Sequence, residues 1–228
     1  MKELKIIDEG VKDYEEMLAK QRAFFSEMVE LKKSDKAIEE EYLFLVEHNP
    51  VVTMGKHAKD DNILMPEDLL KAKGVGVYRI ERGGDVTYHG PGQLVVYPLL
   101  DLESHHLGVK DYVCLLEETV IRTIGEYGVR GERIAGASGV WIGVGTATER
   151  KICALGVKCS RYITMHGLAL NVNTDLSGFR MINPCGFVDK GVTSLSQELG
   201  APVEMDSVKS ILTKHFKLLL ENNYRMDT

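Results

Sequence analysis

Three observations in the sequence predict an α+β fold. Four apolar runs, at residues 129–134, 139–144, 151–159 and 163–172, follow one another with only short turn-forming stretches between them, as antiparallel hairpins do. Helical periodicity is found near both ends of the chain and once in the middle. Strand and helix do not alternate regularly, which argues against a βαβ arrangement. With 228 residues and 44% hydrophobic side chains, one domain around one core is expected.

Taken in order, residues 4–7 suit a short strand and 11–33 a helix. Val11, Tyr14, Met17, Leu18, Phe24, Phe25, Met28 and Leu31 fall on one side of that helix and read as core. Residues 41–48 form an apolar strand stopped by Asn49-Pro50, and 51–55 run on into a polar stretch. Pro66 opens a short helix, because the first helical turn has no use for its missing N–H, and Gly74 ends it. Strands at 75–80 and 94–100 flank a glycine-rich stretch. Asp111 is placed to cap a helix reaching residue 127, with Val113, Leu116, Val120, Ile121 and Ile124 inward and Cys114 as packing. After the four hairpin runs, helices at 193–199 and 206–220 close the chain, the second burying Val208, Ile211, Leu212, Leu218 and Leu219.

A net charge of −6 supplies no general attraction for nucleic acid, whose affinity rests on Lys and Arg at phosphates. The N-terminal residues carry charges throughout, unlike a secretory or transit segment, and no run is long enough to cross a membrane. A cytoplasmic protein is expected, with no membrane or nucleic-acid partner. The four cysteines, 114, 153, 159 and 185, have no C-x-x-C spacing and read as reduced thiols. No His or Cys spacing suggests a metal, and none is expected.

Residues 82–93 read Arg-Gly-Gly-Asp-Val-Thr-Tyr-His-Gly-Pro-Gly-Gln, four glycines in twelve positions. Glycine is costly to order and is useful where the backbone turns left-handed or lies against a ligand, so this stretch is expected to line a pocket. It is not a phosphate loop, since no Gly-Lys-Ser/Thr follows, and not a dinucleotide fingerprint, since a strand and not a helix comes next.

This stretch, continued by Leu-Val-Val-Tyr-Pro, resembles the signature of the octanoyltransferases, members of the biotin/lipoate protein ligase superfamily. Lys-Ile-Cys-Ala-Leu-Gly at 151–156, Met-His-Gly-Leu-Ala-Leu-Asn-Val at 165–172 and Asn-Pro-Cys-Gly at 183–186 extend the resemblance in the same order, over residues 41 to 199. The resemblance implies a mixed, largely antiparallel sheet wrapped by helices around a cleft. It implies Cys185 as nucleophile, a residue that the sequence alone leaves open between a thiol displayed among turn-formers and an inert one. It implies Lys151 as the amine facing that thiol, where position alone suggests a solvated strand end. Arg82, Gly83, Gly84, Asp85, Val86, Thr87, Tyr88 and His89 are implied to line an acyl pocket with Ala154, Leu155, Gly156, Gly167, Leu168 and Ala169. Backbone N–H groups of the loop are candidate oxyanion donors, and the small residues leave room for the acyl tail. His89 is taken as a hydrogen-bonding wall residue. His166 either orients the carbonyl or is structural.

The activity implied is transfer of an octanoyl group from octanoyl-acyl carrier protein to a lysine of a lipoyl domain, through a thioester on Cys185, with no cofactor. The acceptors implied are E2 subunits of 2-oxoacid dehydrogenases and the glycine cleavage H protein. An ATP-dependent ligase on the same scaffold would have no use for Cys185. A thioesterase would release free octanoate without an acceptor protein, and a non-catalytic binding module would not need both Lys151 and Cys185. Because the carrier and acceptor proteins are acidic, Arg130, Arg133, Arg150, Lys158 and Arg161 are expected to offer a basic docking patch.

Overall fold

Asp13 decides where the first helix begins. Its carboxylate accepts the N–H groups of Glu15 (2.9 Å) and Glu16 (3.4 Å), so the helix starts at Tyr14 and the residues before it are free to form a strand. Val11, expected on the helix, belongs to that strand and is 62% exposed. The computed structural model describes residues 2–183, 191–222 and Tyr224.

In chain order the described residues form β1 (Glu3–Lys12), α1 (Tyr14–Lys33), β2 (Glu40–His48), β3 (Val51–Met54), α2 (Glu67–Ala72), β4 (Gly76–Arg79) and β5 (Val86–His89). They continue with β6 (Gln93–Leu99), α3 (Val109–Gly125), β7 (Glu132–Ile134), β8 (Ala137–Ile142), β9 (Arg150–Ser160) and β10 (Ile163–Asn171). A short β11 (Gly191–Val192), α4 (Leu195–Leu199) and α5 (Met205–Glu221) follow. Short 3-10 turns lie at Asp60–Asn62 and Leu176–Met181.

The main sheet runs β1-β2-β6-β10-β9-β8-β7, with β11 added beside β9. β1–β2 and β9–β11 are parallel and the other pairs antiparallel, the mixed, largely antiparallel sheet expected. One face packs on α3 and α5 through Leu115, Leu116, Val120, Val208, Leu212 and Phe216. The other packs on α1 through Met17, Leu18, Phe25 and Met28. A second sheet, β4-β3-β5, takes its last strand from the glycine-rich stretch itself. The sequence pattern suggests a loop at 82–93, yet Val86–His89 pairs with Met54–Val51, as a β-branched and aromatic run does when a partner edge is offered.

Asp111 is not the cap of α3. Gly108 precedes the helix and Asp111 stands in its first turn, accepting the Gly108 N–H at 3.3 Å. Among the described residues no helix is long and apolar enough to cross a membrane.

Candidate active site

Simple alternation along β9 would put Lys151 on the same face as Cys153 and Leu155, toward the α3/α5 core. A bulge prevents this. Val140 of β8 faces Cys153, but its neighbour Trp141 faces Lys151, so Ile152 is an extra residue in β9. Ile152 and Cys153 both bury in the core, and Lys151 is turned onto the opposite face, where it lines a cavity of about 520 Å³. Its stem runs past Gly139, where a Cβ would meet Lys151 Cε at 3.3 Å and the Cys153 carbonyl oxygen at 2.5 Å. The ammonium donates to the Ser138 carbonyl at 3.1 Å and lies 4.4 Å from the centre of the Trp141 ring. The indole is fixed by its own N–H to the Ala137 carbonyl at 3.0 Å.

The residues implied by resemblance converge on this cavity. Arg82, Gly83, Gly84, Asp85, Val86, Thr87 and His89 line it, as do Ala154, Leu155, Gly156, Gly167, Leu168, Ala169 and His166. Tyr88 is not among the lining residues. It alternates to the far side of β5 and packs edge-on against Phe179 and over Gly178, where a Cβ would come within 2.3 Å of its ring.

Two of the glycines act differently from the expectation that small residues make room for the tail. A Cβ on Gly156 would strike Arg82 Cδ and the Gly83 carbonyl oxygen, both at 2.8 Å, so this glycine admits the loop. A Cβ on Gly167 would strike the Val96 carbonyl oxygen at 2.2 Å, so this one admits β6. Much of the loop's backbone is also engaged. Gly83 N–H donates to the Val157 carbonyl (2.9 Å) and Val86 N–H to the Asp85 carboxylate (2.7 Å), which removes both as oxyanion donors. Lys56 and His57 N–H groups bind the carbonyls of Arg82 and Gly84, stitching the loop to the end of β3.

Around Arg82 and His89 the cavity wall is polar. Arg82 donates to the Thr53 carbonyl (2.8 Å) and hydroxyl (3.0 Å), and His89 Nε2 lies 3.4 Å from that hydroxyl. His89 Nδ1 meets Gln93 Oε1 at 2.7 Å, and the residue lines the cavity wall. The relay runs on from Gln93 to Asn171 (2.9 Å) and from Asn171 to the Thr193 carbonyl (2.9 Å), while Thr193 N–H binds the Lys151 carbonyl (2.9 Å). Burial pushes the His89 imidazole down to about 3, with neighbouring His48, Arg82 and His166 acting the same way against the Gln93 hydrogen bond. His166 is pushed to about 3 by burial, against the opposing field of Glu81. Glu81 is held at about 2 by Arg22, which binds it through two nitrogens.

Sequence reasoning misses Tyr14, Tyr97 and Trp141, which also line the cavity. Tyr14 is hidden inside a regular helical stripe, and its place over the cavity depends on where Asp13 starts the helix. Cys185 lies outside the described residues. Burial raises the thiols of Cys114, Cys153 and Cys159 above their ordinary value, the wrong direction for a nucleophile. The expected basic patch is largely spent internally. Arg133 binds Glu117 and Glu118, Arg150 binds Glu198, and Lys158 reaches Glu81 and covers the Phe25 ring. Arg130 reaches Glu132 at 3.4 Å and stays exposed.

Solved structures share this architecture at low identity. The bi-partite lipoate protein ligase from Thermoplasma acidophilum superposes with a TM-score of 0.67 at 18% identity, covering 96% of this chain and 84% of that one. Lipoate-protein ligase A bound with ATP gives 0.67 at 16% identity, covering 96% and 85%. The model of the lipoyl protein ligase A/B catalytic domain matches residues 13–217, and the chain belongs to that family. Within it, a protein of Parabacteroides distasonis named octanoyltransferase is 51% identical over 217 residues, 95% of this chain and 98% of its own. A second octanoyltransferase, from Flavobacterium johnsoniae, is 48% identical over 226 residues, 96% and 97% of the two chains.

Proposed function

We propose that this acyltransferase moves an octanoyl group from octanoyl-acyl carrier protein to a lysine of a lipoyl domain, by way of a thioester on Cys185. Kinship to octanoyltransferases about half identical over nearly the full length supports the acyl group and the place in lipoylation. The observation that carries the reading of the site is Lys151, turned by a strand bulge into a cavity that is also lined by Val95, Ala154 and Ala169, paired across three neighbouring strands. Gly191 and Val192, which line the cavity beside it, are paired with Arg150 and Lys151, and Cys185 precedes Gly191 by six positions.

In the first half-reaction the Cys185 thiolate attacks the donor carbonyl carbon. A new carbon–sulfur bond forms, the bond to the carrier thiol breaks, and the carrier leaves as a thiolate that takes a proton. One thioester replaces another, so no external energy is needed. In the second, the acceptor lysine amine attacks, the amide forms and Cys185 leaves as thiol. The Lys151 ammonium favours the thiolate in the first step, and the neutral amine takes the proton of the attacking lysine in the second.

Intact-mass analysis after mixing with octanoyl-carrier protein tests this. The wild type gains one octanoyl group and Cys185→Ala gains none. Acylation that instead needs free octanoate and ATP, with release of pyrophosphate, would identify a ligase and overturn the proposal.

A further inference from the structure

The end of the cavity furthest along β9 from Lys151 gathers several polar groups. His166 sits in the left-handed region (φ 62°) within β10, its N–H held by Gln21 Oε1 at 3.1 Å. This backbone is strained for a non-glycine residue and sets the imidazole on the cavity wall. The side chain is buried, and its Nε2 has no hydrogen-bond partner among the described residues. Arg82, His89, Tyr97 and Tyr14 line the same cavity, and Arg82 and His89 stand close enough to His166 to interact with it electrostatically. His89 stacks on Tyr14 with ring centres 6.1 Å apart, and the Tyr97 hydroxyl is 2.9 Å from His48 Nε2.

Strand register places this group relative to Lys151. Gly156, which touches Arg82, faces Gly167, and Val157 faces His166. From Lys151 to Gly156 is five residues of β9 with one absorbed by the bulge, about 13 Å at the usual rise per residue. An extended eight-carbon acyl chain spans about 9 Å from its carbonyl and a twelve-carbon chain about 14 Å, from ordinary carbon–carbon bond lengths. The shorter chain ends short of that group. The longer one reaches Arg82 and His166.

We infer that this polar end sets the acyl-chain length by desolvation and not by a wall. A methylene pushed among His166, Arg82 and Tyr97 strips them of water and offers nothing in return, whereas a hydroxyl at the chain terminus can bond to His166 Nε2. The inference rests on the proposed reaction for the placing of the carbonyl at Lys151.

The test compares octanoyl, dodecanoyl and ω-hydroxydodecanoyl carrier proteins as donors to the wild type. Dodecanoyl falls well below octanoyl in kcat/KM, and the terminal hydroxyl restores about tenfold or more, the usual scale for re-pairing a buried polar group. His166→Leu raises the dodecanoyl to octanoyl ratio by a similar factor. Tyr97→Phe, which keeps the ring, moves the ratio the same way should the leucine variant fold poorly. Equal exclusion of both long chains by the wild type would mean a steric wall and overturn the inference. Failure of octanoyl itself to be transferred overturns the proposed function instead. The polar end is then judged by calorimetric binding of the same three chains as free acids, with ω-hydroxydodecanoate binding no better than dodecanoate as the overturning result.

Discussion

Lys151 is fixed by contacts that a sequence does not display. Its residue type and strand position read equally well as a solvated charge, and alternation would have sent it to the core. Only the extra residue Ile152 brings it to the cavity, and only Gly139 leaves room for its stem. On the proposed reaction, Lys151→Ala reduces acyl transfer by about a hundredfold or more, the scale of a lost general acid–base group, with an unchanged circular dichroism spectrum. Trp141 holds the ammonium against its ring face, so Trp141→Leu lowers kcat about fivefold while Trp141→Phe recovers most of it, as a solvent-accessible cation–π contact of about 1 kcal/mol requires. Steady-state kinetics on the three variants check both expectations. Residue identities in the glycine loop were legible because four glycines in twelve positions demand an explanation. The exception, Tyr88, was lost to the two-residue period of a strand hidden within that loop.

At the level of elements, the hairpin order β7 to β10 and the closing helices follow from apolar runs and turn residues. Boundaries moved where one side chain or partner edge intervened, as Asp13 did for α1 and β3 did for β5. The β6–β10 contact depends on Gly167, whose smallness the sequence shows and whose reason it hides. Gly167→Ala forces a methyl into the Val96 carbonyl at 2.2 Å. Overpacking of this kind costs about 1–3 kcal/mol and parts the strands that wall the cavity. A lowered urea midpoint, together with weaker binding of the acyl group, is the expected result.

For the whole molecule, buried neutral histidines set the response to acid. His89 and His166 titrate near 3 in the folded chain, far below the ordinary histidine value near 6.5. Between those values the unfolded chain binds protons that the folded chain refuses, so stability falls as pH drops through the window, by about 1.4 kcal/mol per pH unit for each group. Urea unfolding at a series of pH values from about 7 to 4 shows this decline, and His166→Asn, whose side chain tolerates the left-handed backbone, makes it shallower. Net charge was readable from composition, but its layout was not. The basic residues expected to greet acidic partners are mostly tied to Glu81, Glu117, Glu118 and Glu198, pairings made by residues distant in sequence.

The bulge in β9 also bears on transplanting this chemistry to another scaffold. A designer who copied 151–156 onto a regular ladder would keep every residue and still bury the amine, presenting Ile152 to the cavity instead. The count of residues between Val140 and Trp141 on one side and Cys153 and Lys151 on the other therefore decides what the cavity displays as much as the side chains themselves do.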